Sequence, residues 1–245
     1  MTTPAITPTT GRVFAAFAAL ALAAAALVPT PALAEDGQRL QQLVERARFT
    51  LDQFDADPDL EQFRDYVPYA HALLIVPAYM KGAYFLGGAG GRGVLIKRDA
   101  ATGRWSSPAF YSLWSLSLGL QIGGSASELL VIFQTEDGLA LLDDTSLKFG
   151  LDAAVAAGPV GYGVEGSTST AGSRDIAAFS RAKGAFMGAS MAGTSMVLRD
   201  DWNATYYGRA VSVAEILSGQ VRNPNADGLS RAAAAFFNNN SGRSQ

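Results

Sequence analysis

The sequence predicts an α+β fold: N-terminal helices packed on a Gly-rich, mostly antiparallel curved sheet, open or barrel-like. Three observations predict it. Leu40, Leu43, Val44, Ala47, Leu51 and Phe54 recur at helical spacing over residues 38–55. From Ala70 onward the texture changes to short β-rich runs separated by glycines and turn residues. Over residues 114–122, Trp114, Leu116, Leu118, Leu120 and Ile122 alternate with Ser115, Ser117, Gly119 and Gln121, the period of a strand with one buried face.

Residues 1–34 read as a leader and not as fold. Arg12 supplies a short positive region, residues 13–28 are apolar and Ala-rich, and Ala32-Leu33-Ala34 has the small-x-small form of a signal-peptidase site. The apolar run is short of the roughly 20 residues a stable span needs, although a retained anchor is the alternative. Cleavage after Ala34 implies a periplasmic or secreted chain. Residues 35–237 then form a single domain, and residues 238–245 a disordered tail.

Within the domain, residues 38–55 form an amphipathic helix. Arg39 and Arg46 flank its apolar stripe on one side and Arg48 on the other, with Phe49 on the opposite face. Such a helix can lie on lipid or pack on its own domain, and packing is the commoner outcome. Asp57-Pro58 breaks it, and a short helix to about Tyr66 follows. Leu73-Leu74-Ile75-Val76 reads as a buried strand ended by Pro77. Tyr84-Phe85-Leu86 and Val94-Leu95-Ile96 flank a glycine cluster as two strands of a bulged hairpin would. A strand over residues 129–134, a short helix over 139–148, extended chain around Gly158-Pro159, strands within 185–198, a helical turn over 213–217 and a closing helix over 229–237 complete the order. Lys183-Gly184-Ala185-Phe186-Met187 through Met196-Val197-Leu198 echoes the first hairpin and could pair across a pseudo-symmetric sheet.

Composition removes several functions. There is no cysteine, which excludes thiol catalysis, iron–sulfur clusters and Cys-based zinc sites. Lys and Arg number 19 against 22 Asp and Glu, a formal net charge of −3, which argues against nucleic acid as a partner. The one histidine, His71, stands at a strand entrance with no nucleophile elbow or ligand cluster in reach. Gly88-Ala89-Gly90-Gly91-Arg92-Gly93 satisfies G-x-G-x-x-G, but Val94-Leu95-Ile96 after it is strand-like. A phosphate-holding helix N-terminus is therefore missing. Asp143, Asp144 and Asp152 match no calcium loop and read as a solvated acidic face. No catalytic constellation, cofactor motif or metal site results, and the expectation is a non-enzyme.

Residues 81–108 stand apart. Lys81, Arg92, Lys97, Arg98 and Arg104 meet one acid, Asp99, in an otherwise acidic chain. With Tyr84, Trp105 and Tyr111 nearby, this composition suits an anionic lipid headgroup or a membrane interface. The lipid-binding candidates are Lys81, Arg92, Lys97, Arg98, Arg104 and Trp105. The competing reading is ordinary outward-facing residues of a two-faced sheet.

Several segments together resemble the SYLF domain. They are Leu74-Ile75-Val76-Pro77 with Lys81-Gly82-Ala83, then Gly87 to Leu95, Thr102-Gly103-Arg104-Trp105-Ser106-Ser107-Pro108-Ala109-Phe110-Tyr111, and Ala156-Ala157-Gly158-Pro159-Val160-Gly161. Ser117 to Gly123, Ser180-Arg181-Ala182-Lys183-Gly184, and Asn203 to Gly208 with Glu215-Ile216-Leu217 complete the set, whose order and spacing run from about Phe63 to Leu229. The resemblance implies a lipid-binding module. Eukaryotic relatives bind phosphoinositides and can bind actin filaments, but export separates this chain from a cytoskeleton, so actin is not expected as a partner. The resulting expectation is a periplasmic or secreted module on an anionic lipid or membrane surface. Its alternative is an envelope scaffold that binds a protein.

Overall fold

The computed structural model describes residues 31–57, 64–83, 86–118, 123–142, 146–148, 156–157, 175–182, 185–188 and 193–241. The chain divides into residues 1–38 and 39–245. The described part of the first unit is the start of helix α1 (Pro31–Ala56). The residues before α1 lie outside the described ones, as do the extended chain around Gly158 and most of the helix expected before Tyr66.

In α1, Leu40, Val44, Ala47, Leu51 and Phe54 are buried and Phe49 is 53% exposed. The stripe read from periodicity therefore packs on its own domain. The strands are β1 (Ala72–Ala83), β2 (Leu86–Lys97), β3 (Ala109–Leu118), β4 (Gly123–Phe133), β5 (Ser146–Lys148), β6 (Ala156–Ala157), β7 (Ile176–Ala182), β8 (Ala185–Gly188) and β9 (Thr194–Leu198). They form one sheet in the order β5-β9-β3-β2-β1-β4-β7-β6, with β8 paired to β7. All pairs are antiparallel except β6 with β7. The sheet is open: β5 and β6 end its path and do not pair with each other among the described residues. Both are very short, which limits the exposed edge.

Central strands are buried on both faces. Leu73, Ile75, Val94, Ile96, Phe110, Leu130 and Ile132 meet α1 and helix α5 (Asp227–Ser241). Leu74, Val76, Leu95, Tyr111, Val131 and Phe133 face the other way, towards Leu139 of α2 (Glu136–Ala140) and Ile216 of α4 (Val213–Leu217). Two-sided burial explains why Leu73-Leu74-Ile75-Val76 reads as a continuous apolar run and not as an alternation.

The structure corrects several expectations. β1 does not end at Pro77; it crosses it in a bulge, where the register shifts against both neighbours. Proline lacks the ladder N–H, and the bulge absorbs that loss. The glycine cluster is not a hairpin tip but the middle of β2, with Ala83 paired to Gly87. Positive φ occurs at Gly103, Gly193, Gly208 and Gly219, none of them in the cluster. Close approach is what the cluster requires. A Cβ on Gly91 would stand 2.7 Å from the Ala78 carbonyl oxygen, and one on Gly93 2.8 Å from Val76.

Trp114 is 48% exposed, while Leu113 beside it is buried. Trp114, expected on the buried face, is thus exposed because the described helices do not reach this far along β3, and residues 119–122 of the expected strand lie outside the described ones. The helix expected over 139–148 is α2 followed by β5, and α2 starts at Glu136 because Thr135 caps it, its hydroxyl accepting from the Gly138 N–H. Among the described residues the echo makes no second hairpin: β8 pairs with β7, and β9 with β3 and β5. β7 and helix α3 (Asp200–Tyr207) have no counterpart in the sequence reading. α5 continues to Ser241, past the expected tail boundary, because Asn240 is buried and its amide donates to Asp55 Oδ1 at 2.9 Å.

Candidate functional site

The six sequence-predicted residues do not form one patch. Lys97 lies opposite Ala72 in the β1–β2 ladder and Lys81 opposite Ala89. Nine residues of strand separate Ala72 from Lys81, on the order of 30 Å at about 3.3 Å per residue. The cations therefore divide between two ends of the sheet.

At the first end, Asp99 to Arg104 form a tight turn. The Gly103 N–H donates to the Asp99 carbonyl at 2.8 Å, and Gly103 has φ 70°, which suits glycine. The Thr102 N–H and hydroxyl donate to Asp99 Oδ1 at 2.7 and 3.0 Å. The backbone bond from Thr102 is the first cause that holds the Asp99 carboxyl below its ordinary range. Lys97 donates to Glu136 Oε2 at 3.0 Å, and His71 Nδ1 stands 3.1 Å from Oε1 of the same carboxylate. These two bonds, Lys97 first, lower the Glu136 pKa. The Arg98 guanidinium lies 4.1 Å over the Phe237 ring. Trp105 is buried at 7% exposure, edge-on to Phe237, so it anchors the core and is not an interfacial aromatic.

Beside this turn opens a pocket of about 460 Å³. Lys97, Asp99 and Arg104 form one side; Arg222, Asp227 and Arg231 come from the segment before α5 and its first turns. Arg222 and Arg231 were not singled out from the sequence, since they lie more than a hundred residues from Arg104 and nothing local marks them.

At the other end the helices stop at a polar row. Register places Arg181, Glu128, the Pro77 bulge, Arg92 and Ser112 side by side across the sheet. Arg181 Nε donates to Asp57 at 3.0 Å, and its Nη1 donates to Gln53 and, at 2.9 Å, to Glu128. The Thr50 hydroxyl donates to Glu128 as well, so the row fastens the C-terminal half of α1. Arg92 stacks 5.3 Å over Trp202, whose ring also carries Arg199 at 3.9 Å. Arg92 is thus committed to packing.

Past this row the strands run on. Ala126, Met80, Gly90 and Trp114 form the second rung beyond it, with Met80 65% and Trp114 48% exposed. The chain holds no Asp, Glu, Lys, Arg or His from residue 105 to residue 127, nor from residue 82 to residue 91. Lys81 is exposed on the opposite face, its ammonium 5.9 Å from the Tyr79 ring. By register Lys148 sits at the level of Trp114, opposite Ser195. Among the described strand residues beyond the row, the charges are these two lysines. Among the described residues no group of three His, Asp or Glu side chains could hold a metal. No helix among them is long and apolar enough to cross a membrane.

The sheet is thus two-faced and open, with a basic pocket at one end and strand ends free of acid among their described residues at the other. The comparisons name the class. A family model described as Las17-binding protein actin regulator, Ysc84, matches residues 114–236, just over half of the chain. The chain belongs to this Ysc84 (SYLF) family. It is 30% identical over 174 residues to an SH3 domain-containing protein of Schizosaccharomyces pombe, covering 69% of this chain and 40% of that protein. It is 29% identical over 165 residues to LAS seventeen-binding protein 3 of Saccharomyces cerevisiae, covering 66% and 36%. Against SH3 domain-containing YSC84-like protein 1 of Mus musculus it is 28% identical over 152 residues, covering 62% and 44%. The aligned part is thus less than half the length of each of these relatives.

Proposed function

We propose that this chain is an exported, non-catalytic lipid-binding module that docks on anionic membrane with the uncovered ends of its central strands. One observation carries the reading: Met80 and Trp114 are exposed on the same rung, two strands apart, of a strand end that has lysines and no acid among its described residues. Their backbones are already paired within the sheet, so lipid contact leaves no ladder group unsatisfied. An exposed Trp at such an edge matches the headgroup level of a bilayer, and the lysines supply attraction of about 1 kcal/mol each to anionic lipid. Export follows from the leader pattern that ends at Ala34.

Co-sedimentation with vesicles of phosphatidylcholine plus anionic phosphatidylglycerol tests it. Met80→Ser with Trp114→Ser should abolish most of the binding, and Lys81→Gln should reduce its dependence on anionic lipid and salt. Binding untouched by the double substitution, in a variant that melts like the parent, would sink the reading. Mass spectrometry of the envelope-localised chain should find Glu35 at its N-terminus. The protein-scaffold reading is favoured by relatives named for a protein partner. It predicts no vesicle binding and co-purification of a partner protein.

A further inference from the structure

We infer that the pocket beside the 99–104 turn binds a phosphate-bearing ligand. It is a second site, at the opposite end of the sheet from the proposed membrane contact. Its wall carries Lys97, Arg104, Arg222 and Arg231 against Asp99 and Asp227. Both acids are already engaged: Asp99 accepts from Thr102, and Asp227 accepts from Arg222 at 2.8 Å. Lys97 is shared with Glu136, which stands outside the wall. That leaves Arg104 and Arg231 with no ion pair among the described residues, both bordering the same cavity. Arg104 acts on Asp99 through space without a direct ion pair, so an anion entering the cavity can meet both guanidiniums, whose forks match phosphate oxygens bidentately.

Charge and size select the ligand class. The wall is net +2 as lined, or +1 once Glu136 is set against Lys97. A phosphate diester carries one negative charge and a monoester about 1.5 to 2 near pH 7, so either neutralises it. The volume, about 460 Å³, falls within the ~300–1,000 Å³ usual for small-molecule sites, which leaves room for more than inorganic phosphate. The wall is also rigid where it matters. Ser106 N–H donates to the Lys97 carbonyl at 2.8 Å and the Ser230 hydroxyl to the Ser106 carbonyl at 3.2 Å, joining the turn to α5. The same chemistry is offered by a soluble phosphate ester and by a phospholipid headgroup.

Calorimetric titration of the purified chain with glycerol 3-phosphate, and flotation with vesicles containing phosphatidic acid or phosphatidylcholine alone, separate the two sources. Arg104→Gln with Arg231→Gln should weaken binding roughly tenfold or more, with an unchanged melting temperature. Met80→Ser with Trp114→Ser should leave the glycerol 3-phosphate titration as it was. Saturable binding of glycerol 3-phosphate lost in the arginine variant establishes a soluble ligand. Arginine-dependent flotation on phosphatidic acid without soluble binding establishes a headgroup. If neither probe responds to the arginine variant, the pocket is not a phosphate site. Vesicle binding that still depends on Met80 and Trp114 would then leave the membrane reading standing alone.

Discussion

Gly91 and Gly93 sit opposite the Pro77 bulge, and it is the bulge that requires them. Proline at this point of a central strand costs a ladder bond, the strand kinks, and the Ile75, Val76 and Ala78 backbone and side chains move against β2. A methyl at Gly91 would meet Ala78 O at 2.7 Å and Val76 Cγ1 at 2.8 Å, both within a packed sheet that cannot yield freely. Gly91→Ala should therefore destabilise by about 1–3 kcal/mol in urea unfolding. Gly88→Ala is the contrast, because its nearest neighbour would be the Ser115 carbonyl at 3.9 Å; it should be neutral within about 0.5 kcal/mol. Equal losses at both sites would mean that glycine flexibility, not space, is what the strand needs. The G-x-G-x-x-G pattern is in this light a record of strand packing, which is why its dinucleotide reading fails on context alone.

At the level of the element, α1 shows how far periodicity reaches. Five of the six apolar residues at helical spacing are buried, Leu43 is partly so, and Phe49, off that stripe, is exposed with Arg48 4.1 Å over its ring. Phe54→Ala should cost about 3–5 kcal/mol, because the ring is fully buried against the sheet. Phe49→Ala should leave the melting temperature nearly unchanged. Vesicle binding should not change either, since the proposed membrane contact lies on the strand ends; a drop in vesicle binding in Phe49→Ala would move the contact to α1. β3 shows the opposite limit. Phe110 and Trp114 share a face, yet Phe110 is buried and Trp114, expected to be buried, is exposed. The pattern along a strand gives the face but not where helix cover stops, and that boundary is the Arg92–Glu128–Arg181 row.

For the whole molecule, electrostatics tie distant segments and set a pH response. Glu136, at the start of α2, joins Lys97 at the end of β2 and His71 before β1. Its folded carboxyl titrates below its ordinary 4.5, so its contribution is complete above pH 4.5 and lost as the pH falls below that. Asp201, lowered chiefly by its hydrogen bond from Arg199, behaves likewise below its ordinary 3.8. Both carboxylates are more than half exposed, so solvent screening holds each to under about 1 kcal/mol. Stability measured from pH 7 down to pH 3 should decline on the acid side, and Glu136→Gln should flatten that decline between pH 4.5 and 3. An identical slope in the variant would show that the Lys97–Glu136–His71 cluster adds nothing to folding.

By itself the sequence determined the α+β class, the apolar stripe of α1, the buried strand at residues 73–76, the failure of the nucleotide fingerprint and the family resemblance. All of these rest on patterns within one element or on motifs in order along the chain, which local backbone geometry translates directly. Only the tertiary structure decided which cations act together. Lys81 and Lys97 are close in sequence, but the β1–β2 hairpin carries them to opposite ends of the sheet. Arg104 and Arg231 are far apart in sequence, yet they border one pocket because α5 packs back against the 99–104 turn. Charge is read locally in a sequence, whereas a site is assembled by chain closure over long separations, and no local period encodes that closure.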